Sequence, residues 1–238
     1  MFVPEPSSQF DPRALSCARL GWFGGTFDPM HGGHLHVART ALRERGLDHV
    51  VWVPAGRSPH KDSGPTSSRD RAQMIELGLR DEADTDPSGE GLAARSSIWL
   101  GEAERGGPSF TVDSVREVLA ARGGEGSVFL LLGSDQLVAL DRWRHVEELL
   151  ALVTPLVVER PGAGRELLDA LSGRVSAPAL GALERGFLAP PPVDLAATDL
   201  RRASRAGDDD LDLTPRVRRF VEQRSLYTDG DSPDGALR

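Results

Sequence analysis

Short apolar runs alternate along this chain with stretches whose apolar residues recur every three or four positions. Leu20–Phe23, His49–Val53, Ser97–Leu100 and Ser127–Leu132 are short and β-branched or apolar, so they predict strands. Between them Gly33–Arg45, Arg69–Leu79 and Val112–Ala121 carry helical periodicity. A second set follows: a strand near Ala151–Val158, a helix near Arg165–Leu171, a strand near Phe187–Leu188, then helices at Asp199–Ala206 and Pro215–Arg224. Such alternation predicts an α/β fold, a Rossmann-like doubly wound parallel sheet with right-handed crossovers, its last two helices forming a small C-terminal cap. Ala83–Glu90 and Gly123–Gly126 read as surface loops. Residues 1–18 read as a flexible extension, 19–227 as one domain, and 228–238 as a disordered polar tail.

In doubly wound sheets ligands sit beyond the carboxyl ends of the strands. Gly24–His34, Pro54–Lys61, Gly107–Thr111 and Gly133–Asp135 lie at such ends or on the loops leading into the next helix. The first of these carries the most chemistry. Paired glycines let the chain turn tightly and bring backbone N–H groups against an anion, and the following helix adds the positive end of its dipole. His31 and His34, three apart, fall on one face of its first turn. A triphosphate held there would meet two imidazole donors aimed at charge that develops during phosphoryl transfer. A zinc site fits less well, because zinc proteases space their histidines four apart around a Glu.

Composition narrows the setting. With 238 residues and 39% hydrophobic content the chain can bury one substantial core. Its one cysteine, Cys17, excludes an internal disulfide and points to a reducing, cytoplasmic location. The apolar stretch Leu149–Val158 is broken by Thr154 and Pro155 and is too short to cross a bilayer, and no apolar leader precedes it. A net charge of −8 argues against a large nucleic-acid footprint. No membrane or nucleic-acid partner is therefore expected, and a homo-oligomer is left open.

Gly24 to His34 resembles the nucleotidyltransferase superfamily signature GGTFDPxHxGH. Pro59-His60-Lys61, Pro108-Ser109-Phe110-Thr111-Val112-Asp113-Ser114, Gly133-Ser134-Asp135-Gln136-Leu137, Trp143 and Leu226-Tyr227 follow in order. Together they resemble bacterial nicotinate-nucleotide adenylyltransferases over about Leu20 to Tyr227. The resemblance implies AMP transfer from ATP, with Mg²⁺ carried on it, to nicotinate mononucleotide. It assigns catalysis to His31, His34, Lys61 and Arg201, and ATP phosphate binding to Gly24, Gly25, Thr26, Phe27, Gly33 and Thr198. It assigns the mononucleotide to Ser109, Thr111, Asp135 and Trp143, with Thr111 also a natural helix cap.

The chain departs from that pattern in places. The family's second phosphate segment, ISSTxIR, reads Leu195-Ala196-Ala197-Thr198-Asp199-Leu200-Arg201, so two serine hydroxyls are missing. Phe110 replaces the usual Tyr, and Arg144 stands where an aromatic or His commonly follows the tryptophan. Asp208-Asp209-Asp210 reads as a solvated acidic turn, and no metal ligands are assigned. Two other readings stay open: a pantetheine-phosphate adenylyltransferase, which shares the signature, and a degenerate nucleotide-binding module.

Overall fold

The computed structural model describes residues 3–56, 66–86, 88–105, 107–159, 164–188 and 213–227. Among the described residues seven strands form one sheet: β1 (Pro6–Ser7), β2 (Arg19–Gly25), β3 (His49–Pro54), β4 (Ser96–Trp99), β5 (Ser127–Gly133), β6 (Thr154–Val158) and β7 (Phe187–Leu188). Their order is β1-β4-β3-β2-β5-β6-β7, and every pairing is parallel. The α-helices of the described residues are α1 (Pro12–Ser16), α2 (Gly32–Arg45), α3 (Ser68–Thr85), α4 (Gly101–Glu104), α5 (Thr111–Ala121), α6 (Val146–Leu152), α7 (Leu167–Leu171), α8 (Ala177–Gly186) and α9 (Pro215–Gln223).

The strands explain why helices cover both faces. Successive side chains point to opposite sides of a strand, and a strand buried on both sides is apolar throughout. Along β3, Val51 and Val53 enter a core shared with α5, α6, α7 and α8. Val50 and Trp52 enter a second core with α2, α3 and α9. This is the doubly wound α/β arrangement that the patterning predicts. No helix of the described residues is long and apolar enough to cross a membrane.

Four local expectations need correction. Residues 3–18 are not a loose extension. Pro6 and Ser7 pair with Ile98 and Trp99 at the sheet edge, and Ala14 is fully buried. Phe10 stacks 4.6 Å from Trp99, whose Nε1 donates to the Ser8 carbonyl at 3.0 Å. The anchors are single apolar residues among prolines and charges, without a period to betray them. At the far end of α3 the helix continues to Thr85, because Ile75, Leu79 and Ala83 extend one buried stripe at four-residue spacing. The apolar run from Leu149 is divided between α6 and β6 at Val153. Helix α8, absent from the patterning above, opens on Ser176, whose hydroxyl accepts the Ala179 N–H at 3.3 Å, with proline in its first turn.

In the C-terminal region α9 packs on α3, with Arg216 bridging Asp81 at 2.7 Å and Asp84 at 2.6 Å. Val217 and Phe220 enter the second core. The expected helix Asp199–Ala206 and the tail lie outside the described residues.

Candidate active site

The chain runs outward from β2 in both directions, so the order reverses between β2 and β5, and doubly wound sheets bind ligands beyond the carboxyl ends of the strands at such a point. Gly24 and Gly25 end β2, while Gly133 ends β5. A Cβ on Gly24 would meet nothing within 4 Å, so that position faces open space. One on Gly25 would come within 3.0 Å of the Phe27 ring.

Phe27 takes a left-handed backbone, φ 51°, and is fully buried, its ring packed on Phe23, Trp52 and His34. Expected among the phosphate ligands, it is instead a support for the His34 ring, 4.9 Å between centroids, since a wholly buried residue presents no surface to a ligand.

His31 is the N-cap of α2. Its Nδ1 accepts the Gly33 N–H at 3.1 Å, and His34 Nδ1 accepts the His31 N–H at 3.3 Å, a capping box built from imidazoles. Those bonds fix the neutral tautomers with the proton on Nε2, so both rings carry an N–H donor on the side away from the backbone. The ring centroids are 3.8 Å apart. Gly33 is required locally, because a Cβ there would come 2.9 Å from the His31 ring.

The signature turn is held from below by residues that the sequence pattern did not single out. Buried Arg71 on α3 donates from Nη1 to the Thr26 carbonyl and from Nη2 to the Ala55 carbonyl, both at 2.7 Å. Burial lowers its pKa, and the charge of Asp28 opposes that. Tyr227, noted only as part of a terminal pair, donates its hydroxyl to Asp28 and receives a hydrogen bond from Thr66 Oγ1 at 3.0 Å. Burial and the bond to Asp28 push its phenol pKa upward. The available signal was Arg71 itself, a charged residue on the stripe of Met74, Ile75 and Gly78.

A second wall forms at the N-terminus of α5. Phe110 occupies the cap position and Thr111 is the first helical residue, so Thr111 is not the cap the sequence suggests. Ser109 Oγ donates to the Glu102 carbonyl at 3.2 Å. The Glu102 carboxylate, unremarked in the sequence, is buried and accepts Ser114 Oγ at 2.6 Å and the Gly56 N–H. Burial raises its pKa. A Cβ on Gly56 would collide with the Glu102 carbonyl at 2.2 Å, so glycine lets the loop after β3 seat on this wall.

Asp135 is exposed near the start of the 3₁₀ segment Ser134–Arg142, its carboxylate facing Gln136 Nε2 at 3.4 Å. Trp143 closes that segment, half-buried against the core that α5 lines. The next residue, Arg144, lies over the Phe110 ring at 4.6 Å. The structure thus brings together the signature turn, both histidines and Gly33. Ser109, Thr111 and Trp143 belong to the α5 side. Lys61, Thr198 and Arg201, together with Pro59-His60, Ala196, Ala197 and Asp208–Asp210, lie outside the described residues.

Residues 22–203 match the cytidylyltransferase-like family. A protein of Gloeobacter violaceus named "Probable nicotinate-nucleotide adenylyltransferase" is 36% identical over 92% of this chain and 98% of its own length. The chain belongs to the nicotinate-nucleotide adenylyltransferase family. A member of the same name from Cellvibrio japonicus is 36% identical over 87% of this chain and 98% of its own. Among solved structures, the nicotinic acid mononucleotide adenylyltransferase of Plasmodium falciparum, complexed with NaAD, superposes with a TM-score of 0.62. It is 14% identical over 88% of this chain and 97% of that one, a likeness of fold.

Proposed function

We propose that this member of the adenylyltransferase family transfers AMP from ATP to nicotinate mononucleotide, releasing pyrophosphate and nicotinate adenine dinucleotide in NAD synthesis. The observation that carries the reading is the imidazole capping box that follows the carboxyl end of β2, with open space at Gly24. The mononucleotide phosphate oxygen attacks the α-phosphorus of ATP in line, a new P–O bond forms, and the bond to the pyrophosphate oxygen breaks. No protein nucleophile is needed, so the protein's task is positioning and charge neutralisation.

Gly24, Gly25 and Thr26 offer backbone donors to the phosphates at the positive end of α2. His31 and His34 direct their Nε2–H donors at the oxygens that gain charge as the α-phosphorus becomes pentacoordinate. Mg²⁺, carried on ATP, would supply charge neutralisation at the phosphates. By family resemblance Lys61 and Arg201 add point charges and Thr198 a hydroxyl. Trp143 stacks on the pyridine ring, Ser109, Thr111 and the first-turn N–H groups of α5 receive its carboxylate, and Asp135 bonds a ribose hydroxyl. A cytoplasmic location, read from the single cysteine, suits this activity.

Pyrophosphate release from ATP and Mg²⁺ is measured with nicotinate mononucleotide, nicotinamide mononucleotide and phosphopantetheine in turn. The first is expected to be the preferred acceptor. Preference for phosphopantetheine would establish the alternative transferase, and release with none of them would leave a nucleotide-binding module.

A further inference from the structure

Two residues that the mechanism leaves without a task stand together beside the second wall. The Arg144 guanidinium lies 4.6 Å from the centroid of the Phe110 ring. A guanidinium over an aromatic face is attracted by the ring and keeps its N–H donors at its rim, where they can still meet an oxyanion. Carboxylates close in sequence to Phe110 and Arg144 are engaged elsewhere. Asp113 and Glu148 pair with Arg116 at 2.7 and 2.6 Å, and Glu147 holds Ser176 at 2.7 and 2.5 Å. Among the described residues Arg144 has the ring of Phe110 as its partner and no ion pair. Arg144 follows Trp143 and Phe110 precedes Thr111, so this contact joins the residue that would stack on the pyridine to the residue that would receive its carboxylate.

We propose that Arg144, held over the face of Phe110, is the specificity-determining charge by which this site prefers a pyridine carboxylate to the matching amide. The inference rests on the nicotinate reading of Thr111 and Trp143. Helix N–H groups donate to an oxygen of either group and discriminate only against the NH₂ end of the amide. A full positive charge adds discrimination between an anion and a neutral group that does not depend on how the amide is turned. Arg144 is exposed, so water and salt weaken this contribution and the preference carries an ionic-strength dependence. Phe110 is the platform: without its ring the guanidinium loses its position, whereas tyrosine retains the aromatic face.

The test compares kcat/KM for nicotinate and nicotinamide mononucleotides in the wild type, Arg144→Gln, Phe110→Leu and Phe110→Tyr, at low and high NaCl. Arg144→Gln is expected to lower the acid-to-amide ratio about tenfold, as for loss of a charge-assisted contact. Phe110→Leu should lower it in the same direction, and Phe110→Tyr should keep it. Salt should lower the ratio in the wild type and leave it flat in Arg144→Gln. A wild type that uses nicotinate mononucleotide, with a ratio unchanged in Arg144→Gln, overturns this inference alone. A wild type that uses neither mononucleotide overturns the proposed function and this inference with it.

Discussion

Tyr227 and Asp28, 199 residues apart in the chain, are hydrogen-bonded to each other beneath the signature turn. Thr66 bonds the same phenol, and Arg71 holds the Thr26 and Ala55 carbonyls. Three segments distant in sequence are thereby fixed around the turn that would carry the ATP phosphates. Tyr227→Phe removes the hydroxyl and little else. It should cost about 0.5–1.5 kcal/mol of stability and raise the KM for ATP several-fold, because a turn held in place only part of the time binds in proportion to that fraction. Denaturant unfolding and ATP titration kinetics check both; an unchanged KM would show that the turn needs no such tie.

The two histidines separate into a structural and a catalytic task. His34→Ala should reduce turnover by roughly 10²–10³ in a folded protein, the usual cost of one preorganised donor. His31→Ala should be slow and also less stable by about 1 kcal/mol through loss of the helix cap. His31→Asn should recover the stability, since asparagine caps well, but not the rate. Steady-state kinetics beside thermal unfolding distinguish these outcomes, and recovery of turnover in His31→Asn would mean that His31 serves only as a cap.

Gly24 and Gly25 should answer differently to the same methyl group. At Gly24 the added Cβ meets no protein atom, so Gly24→Ala should fold with stability within about 0.5 kcal/mol of the wild type. The methyl then occupies the space proposed for phosphate, and ATP affinity should fall by about tenfold or more. Gly25→Ala instead presses on the Phe27 ring at 3.0 Å, and its effect should appear in unfolding as well as in binding. Calorimetric ATP titration of both variants decides this; normal ATP binding by Gly24→Ala would remove the phosphates from that face of β2.

What could be read in the sequence was local. The turn, the helix start and the two histidines sit within eleven residues from Gly24 to His34, and their chemistry depends on spacing along a single strand–loop–helix unit. The sheet followed because strands buried on both faces are almost wholly apolar, as in His49–Pro54, where only the first residue is polar. The supports of the site were hidden because tertiary contact creates them. Arg71 reaches a carbonyl 45 residues away, and Glu102 gains its role only when Ser114 and Gly56 meet it. The capping role of His31 was missed for a different reason: imidazoles replace the hydroxyl and carboxylate that mark a capping box in sequence.

The N-terminal segment, part of the fold and not an appendage, leaves a signature in the pH dependence of stability. His49 begins β3, is 2% exposed, and bonds Ser97 Oγ at 2.9 Å through Nε2. Burial, with the positive charges of Arg13 and Arg95 outweighing Asp11, lowers its pKa from 6.5 to about 4. The unfolded chain therefore binds this proton below pH 6.5 while the folded protein resists it until about pH 4. The contribution to stability is fully present above pH 6.5 and is lost as pH falls through that interval, at up to about 1.4 kcal/mol per pH unit and about 3 kcal/mol in all. His49→Gln keeps a side chain able to bond Ser97 and has no proton to gain. Its unfolding free energy, measured in urea at pH 7.0, 6.0 and 5.0, should fall less steeply than that of the wild type, while carboxylates titrating lower act on both proteins alike. Parallel curves for the two proteins would mean that His49 takes up its proton without disturbing the packing of Arg13 and α1 against β3.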